Sequence, residues 1–219
     1  MKIRTLDDLE DLLDSELAWR KKEMTLAINH FASSKNDLSK QYNLRGALLL
    51  IYAHWEGYIK KASEAYLEYV ISKRVTYNLL KSNFLAIGIA NHVENSADIK
   101  SIKNKKNIID FVLNDLSATK FYGKSSEMVF AESNLNIEIL EKICLSIGID
   151  AEILSADKHW VDNRLLQFRN KAAHGDRISP KEINFRIEDL KLEIQTLLDK
   201  YRTLISNAAA RKEYLKKGV

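Results

Sequence analysis

Residues that interrupt helices are scarce: one proline and seven glycines in 219 residues. Proline removes a backbone donor and clashes with the preceding turn, and glycine carries a large entropy cost in a helix. Their scarcity argues for long uninterrupted helices. The single cysteine, Cys144, excludes an intrachain disulfide and fits a reducing, cytoplasmic compartment. It lies in the apolar run Ile143-Cys144-Leu145 and reads as a buried core thiol, not a nucleophile. No apolar run approaches the ~20 residues that span a bilayer. The N-terminal stretch MKIRTLDDLEDLLDSEL is too acidic and too interrupted for a signal peptide, so no membrane association is expected. Neither sign of charge dominates. The 34 basic and 30 acidic residues leave a net charge of +4, which permits nucleic-acid binding without demanding it. No His-x3-His or Cys-x2-Cys spacing suggests zinc, and no Gly-rich phosphate loop suggests an NTPase. No metal and no cofactor are expected.

What remains is an ordinary globular composition, 46% hydrophobic and 29% charged, in a chain long enough to bury its own core. Apolar residues recur at helical spacing through most of it. A first helix is expected from about Thr5 to Phe31, with Thr5 as N-cap and Asp8 in the first turn, where the helix dipole favours an acid. Leu6, Leu9, Leu13, Leu17, Met24 and Ile28 form its apolar face. After the polar break SSKNDLS, a second helix is expected from Tyr42 to Lys73. Leu44, Leu48, Ile51, Trp55, Tyr58, Ala62 and Tyr66 give it a core stripe. Leu49, Leu50, Tyr52 and Ile59 widen that surface, as in a central helix with several neighbours.

Shorter helices are expected over Tyr77–Ala90 and Asp98–Leu116. A loop or short hairpin should occupy 117–132. A helix from Leu135 to Ile147 should end on Gly148 in the left-handed conformation. A helix over Ala156–Ala173 then precedes HGDRIS. Ser179-Pro180-Lys181-Glu182 reads as the start of the last helix, with Ser179 as N-cap, Pro180 at the first position and Glu182 closing a capping box. Ile183, Ile187, Leu190, Ile194, Leu197, Tyr201, Leu204 and Ala208 form its stripe. The expected architecture is all-α: one domain over 1–219, a bundle of long antiparallel helices elaborated between about 76 and 132.

The helix before His174 has two distinct faces. Val161, Leu165, Phe168 and Ala172 form an apolar stripe. Asn163, Gln167, Asn170 and His174 form a polar one, offset by two residues and hence by ~200°. Surface helices usually favour Lys and Glu over Asn. The amide-rich stripe therefore suits either a solvated face or a hydrogen-bonding cleft or interface. Arg169 and His174 are five residues apart, a rotation of about 140°, so one straight helix does not bring them together. Two arrangements would. The helix could end near Ala173, with left-handed Gly175 turning His174 back, or the site could be shared by two chains about a two-fold axis. Asn170 shares His174's face and is placed to orient the imidazole or meet a phosphate.

The sequence Arg169-Asn170-Lys171-Ala172-Ala173-His174-Gly175 resembles the Arg-x4-His motif of the HEPN superfamily. Residues 48–70 (LLLIYAHWEGYIKKASEAYLEYV) and 133–143 (SNLNIEILEKI) are similar to segments of HEPN-like nucleases of bacterial defence and toxin systems. The resemblance implies a HEPN-like helical bundle that forms a homodimer, with its motifs facing one another across the cleft. It implies a metal-independent endoribonuclease acting on RNA, with Arg169, Asn170 and His174 as catalytic residues. An antitoxin or other regulatory protein is an expected partner. Histidine serves as general acid or base near neutral pH, and the arginine fork matches phosphate oxygens. Arg164, Lys171 and Arg177 flank the motif as candidates for holding RNA. Glu56 and Asp162 are candidate acidic partners of the site. Two other readings are a non-catalytic HEPN-like module that binds RNA, a nucleotide or a protein, and a purely structural helical dimerisation domain. Lysines 100, 103, 105 and 106 and the basic C-terminal residues 211–217 read more simply as solvated helix ends.

Overall fold

The computed structural model describes all residues except 1, 95–100, 126–133, 156–160, 182, 184–185 and 219; the side chains of 91–94, 153, 155 and 162 also lie outside the description. Every extended element among the described residues is helical, and the β-pairing there is limited to isolated bridges, Thr76 with Lys120 and Leu80 with Leu215.

Helix α1 spans Leu6–Ala32. Thr5 caps it in a reciprocal box: its side chain accepts from the Asp8 N–H at 3.0 Å, while Asp8 accepts from the Thr5 N–H at 2.9 Å. Two of the free donors at the helix start are thus satisfied. Helix α2 spans Asp37–Ser72 and starts earlier than its apolar pattern predicts. Asn36 is the N-cap, accepting from the Ser39 N–H at 2.9 Å. The expected polar break is therefore present but shorter, at 33–36, and its last three residues, Asp37, Leu38 and Ser39, open the first turn of α2. At 1.5 Å per residue this helix is roughly 54 Å long.

Three long helices make the core. Helix α1 runs antiparallel to α2: the Ile3 N–H donates to Glu68, the Tyr58 hydroxyl to the Leu13 carbonyl, and the Asn43 amide to the His30 carbonyl. The last helix, Ile187–Ala210 (α8 below), lies across both. Arg202 binds Asp14 with two hydrogen bonds of 2.8 and 2.9 Å, and Lys21 meets Asp199 at 2.6 Å. The buried Ser63 and Tyr201 hydroxyls are 2.6 Å apart. Leu44, Leu48, Ile51, Trp55, Tyr58, Ala62 and Tyr66 are all enclosed, as their spacing predicts. Leu49 is not: it is exposed, on the side of α2 that these helices leave open.

Between α2 and α8 the chain is more broken than expected. A 3-10 turn at Tyr77–Leu79 precedes α3 (Ser82–Glu94). Helix α4 (Ile102–Asp110) runs on as a π-helical turn over Phe111–Asp115. The part of the expected loop or hairpin at 117–125 holds turns and one bridge residue, Lys120; 126–132 lies outside the described residues. Helix α5 (Ile137–Ile147) is capped by Asn136 and ends on Gly148 at φ 74°, as predicted. Short α6 (Glu152–Ser155) follows. The expected helix over 156–173 begins outside the described residues, and its visible part is not uniform. Val161–Leu166 is π-helical, and only Gln167–Ala173 (α7) is α-helical.

The expected start of the last helix needs correction. The Ser179 side chain accepts from the Lys181 N–H at 3.3 Å, which closes a local turn two residues on instead of capping a helix. Helix α8 starts at Ile187 after Arg186, with Glu188 and Asp189 supplying negative charge to the first turn. Ile178 and Ile187 are both buried, and the chain between them forms the connection. Glu182 lies outside the described residues.

One buried polar group makes the packing of α1 on α2 sensitive to pH. The His54 Nε2 lies 3.1 Å from Glu23, with Trp19 edge-on to its ring and Arg20 close by. Burial, reinforced by the Arg20 charge, lowers the His54 pKa; Glu23 offsets this only in part. The unfolded chain therefore binds more protons than the folded one as pH falls through the ordinary histidine range, and stability drops. Melting temperature is expected to fall between pH 7.5 and 5.5, and to fall less in His54→Gln. Equal slopes for the two proteins would show that His54 is not the group responsible.

Candidate functional site

Helix α7 packs on α2, and its Phe168 and Ala172 are buried together with Val161 and Leu165 of the preceding π-helical stretch. The apolar stripe read from the sequence is thus the core side. Of the polar stripe, Asn163, Gln167 and His174 are exposed and Asn170 is half-buried.

Packing α7 against α2 brings Arg169 over Tyr52. The guanidinium carbon sits 4.2 Å from the centre of that ring, a cation–π contact. The Arg169 Nη1 donates to the Asn134 side-chain oxygen and, at 2.8 Å, to that of Asn170. Asn134 holds the left-handed conformation, φ 72°, in the turn before α5. Its neighbour Leu135 accepts from the buried Trp55 indole at 3.3 Å, which ties this turn to α2. Arg169 is thus gripped from three segments, by neutral oxygens and an aromatic face. Among the described residues no carboxylate lies within ion-pair distance of it, so its charge and its other donors stay available to an anion.

Glu56 belongs to the same cluster, one helical turn beyond Tyr52. Lys60 Nζ approaches it at 2.5 Å. Burial pushes the Glu56 carboxyl upward, but Lys60, Tyr52 and the more distant charge of Arg169 together outweigh it, and the net shift is downward. The Tyr52 hydroxyl lies close enough to Glu56 for each to alter the other's ionisation, though without full hydrogen-bond geometry. Burial, with Glu56 adding to it, raises the tyrosine pKa and keeps the phenol neutral.

His174 is the C-cap of α7 and continues the helical turn. Its N–H donates to the Asn170 carbonyl at 3.0 Å. Gly175 follows at φ 84°, with its N–H bound to the Ala172 carbonyl at 3.2 Å and the Asp176 N–H bound to the Lys171 carbonyl at 3.0 Å. That pair of bonds is a Schellman ending. The helix therefore stops at Ala173 with a left-handed Gly175, as one of the two expected arrangements requires. The turn falls after His174, however, and does not swing it back to Arg169. The imidazole is exposed and, among the described residues, makes no hydrogen bond or ion pair. Asn170 links the two only in part: its side chain serves Arg169, and its carbonyl serves the His174 backbone.

The flanking cations differ from one another. Lys171 and Arg177 are exposed, with the Lys171 ammonium 5.5 Å from the Phe168 ring. Arg164 is ion-paired with Glu193 of α8 at 3.4 Å, which anchors the π-helical segment. The Asp162 side chain lies outside the described residues. Cys144 is fully buried, and burial pushes its thiol up to about 12, so it is inert as a nucleophile. Among the described residues no group of three or more His, Cys, Asp or Glu side chains is placed to hold a metal ion, and no helix is long and apolar enough to cross a membrane. An open groove between α1 and α8, lined by Lys21, Thr25, Leu26 and Gln195, shares no residue with the Arg169 cluster.

Tyr52 and Asn134 were not marked by spacing or residue type. Tyr52 reads as one more apolar residue of α2, and Asn134 as a loop amide. Both lie inside the two segments, 48–70 and 133–143, that resemble HEPN proteins. The comparison of the whole chain agrees with that likeness. The HEPN_MAE_28990-like HEPN family model matches residues 9–214, and the chain belongs to the HEPN superfamily. No curated protein and no solved structure matches it.

The Schellman ending gives a direct test of how the motif is terminated. A Cβ at Gly175 would meet nothing within 4 Å, so Gly175→Ala carries only the backbone strain of a positive φ. It is expected to destabilise the protein by about 1 kcal/mol in denaturant unfolding. An unchanged or higher midpoint would show that this turn is not left-handed in solution.

Proposed function

We propose that this HEPN protein is a metal-independent endoribonuclease, folded as a single domain and active as a homodimer in the cytoplasm. The observation that carries this reading is the Arg169 guanidinium, laid on Tyr52 and held by two neutral amides so that its charge is free for a phosphate. His174 supplies proton transfer at the exposed end of the same helix. In the cleavage, the ribose 2′-oxygen attacks the adjacent phosphorus and the bond to the 5′-oxygen breaks. A base removes the 2′-hydroxyl proton, and an acid delivers one to the leaving 5′-oxygen. Two histidines, one from each chain, fill those two roles. Arg169 stabilises the charge that builds on the non-bridging oxygens. Asn170 and Asn134 position Arg169; Lys171 and Arg177 contact the RNA backbone, and Arg164 supports the helix that carries them. Glu56 is the acidic member near Arg169, with Asp162 a second candidate.

Uncontrolled cleavage of this kind is toxic to a cell. The superfamily's place in toxin–antitoxin and antiphage systems therefore suggests an inhibitory protein partner or a trigger. One observation favours a different reading, a non-catalytic module that binds RNA, a nucleotide or a protein through the same cleft: among the described residues the His174 imidazole makes no hydrogen bond or ion pair that would orient it.

Purified protein is expected to cut RNA in the presence of EDTA and leave 2′,3′-cyclic phosphate and 5′-hydroxyl ends. Arg169→Ala and His174→Ala should each lower the rate by at least ~100-fold and relieve growth arrest on expression. Products with 3′-hydroxyl ends would reject this chemistry, and binding without cleavage would favour the non-catalytic module. Mixing the two inactive variants tests the sharing of the site. Half of the re-formed dimers then hold one Arg169 and one His174, and a reaction that needs a histidine from each chain should not recover in them. A return to about a quarter of the wild-type activity would mean instead that Arg169 of one chain and His174 of the other make a complete site by themselves.

A further inference from the structure

The N-terminal half of α2 exposes large apolar residues that the fold of this chain does not cover. Leu38 is 80% exposed, Tyr42 68% and Leu49 36%. At 100° per residue, Leu38, Tyr42, Arg45, Leu49, Tyr52, Ala53 and Glu56 share one stripe about 100° wide. It runs from open solvent directly to the Arg169 cluster, because Tyr52 is the ring under Arg169 and Glu56 lies one turn further. Gly46 borders this stripe. A Cβ there would meet nothing within 4 Å, so packing within the chain gives no reason for a glycine in the middle of a long helix. Gly46 and Ala53 leave shallow ground beside the projecting Tyr42 and Leu49, a relief that admits another helix at close range.

We infer that this stripe is the seat of a second copy of the chain, packed α2 against α2 about a two-fold axis near Leu49. The choice of a second copy as occupant rests on the composite site proposed above. Arg169 and His174 diverge on α7, and Tyr52 places the Arg169 cluster at the edge of this surface. A copy seated on it brings the two clusters together. The charges on the stripe agree with a self-complementary contact. Arg45 and Glu56 lie on opposite sides of Leu49, so an antiparallel copy sets each Arg45 against the other chain's Glu56.

Sedimentation velocity of the full chain at micromolar concentration tests this. Wild type should be a dimer. Tyr42→Glu and Leu49→Glu should each raise the dimer dissociation constant at least ~30-fold while helical circular dichroism is kept. Leu26→Glu, in the groove between α1 and α8, and Ile109→Glu, on exposed α4, should remain dimeric. A wild-type monomer, a dimer untouched by Tyr42→Glu and Leu49→Glu, or one broken by Leu26→Glu or Ile109→Glu instead would overturn the assignment. RNA cleavage measured on the same samples separates the two ideas. A dimer that Leu49→Glu dissociates but that never cuts RNA keeps the surface and removes the ribonuclease reading. A wild type that cuts RNA while Leu49→Glu stays dimeric does the reverse.

Discussion

The structure depends on the need to cover α2. This helix is apolar around most of its circumference in its middle, and a helix of that kind must be enclosed from several sides. Helices α1 and α8 take the stripe from Leu44 to Tyr66. Helix α7 and the turn before α5 take the side that carries Tyr52, and the indole of Trp55, on the stripe itself, bonds to that turn. Covering that second side is what brings Asn134 and Arg169, 35 residues apart in sequence, onto one aromatic ring. The candidate site is in this sense the outer edge of the core. Its arginine is anchored by the same contacts that close the fold.

The two ends of the motif are held very differently. Arg169 is fixed by an aromatic face and two amide oxygens, and α7 is pinned to α2 beneath it. Among the described residues, His174 is held only through its backbone, in the Schellman turn at Gly175. The cation is thus preorganised, whereas the imidazole keeps its rotamer freedom until something packs against it. Elsewhere several charges meet in local or helix-to-helix pairs such as Arg202 with Asp14, Lys21 with Asp199 and Arg164 with Glu193.

The long helices were legible because burial imposes a strict period. Leu9 to Ile28, Leu44 to Tyr66 and Ile187 to Ala208 are the α1, α2 and α8 core faces that their spacing implies. The capping of α1 by Thr5 and the left-handed Gly148 were also readable, since each rests on a local rule. The misreadings fall where a local signal competes with tertiary packing. Ser179-Pro180 has the chemistry of a helix start but closes a turn, because the helix begins only where Ile187 enters the core. The first turns of α2 carry no periodic apolar face towards the core, so they looked like a loop. At the candidate site, the Arg, Asn and His of one short motif were readable as residues. Their supports were not. Tyr52 and Asn134 come from segments distant in sequence, and nothing in the identity of a tyrosine or an asparagine announces the cation it will hold.

The π-helical stretch at Val161–Leu166 has a mechanical consequence for the motif that follows it. A π turn holds one residue more than an α turn, and that surplus sets the phase between what lies before it and what lies after. Arg169 is downstream and held against α2, whereas Arg164 lies within the stretch and is tethered to α8. The stretch thus works as a spacer between two anchors that an unbroken α-helix would hold in a different rotational phase. Relaxing the stretch to α geometry at its present length would turn everything upstream by about 100° around the axis while α7 kept its seat, whereas losing one residue at the same time would cancel that turn. Substitutions that shift this short stretch between π and α geometry at constant length are therefore the changes by which related chains could re-aim the approach to the arginine without disturbing its grip.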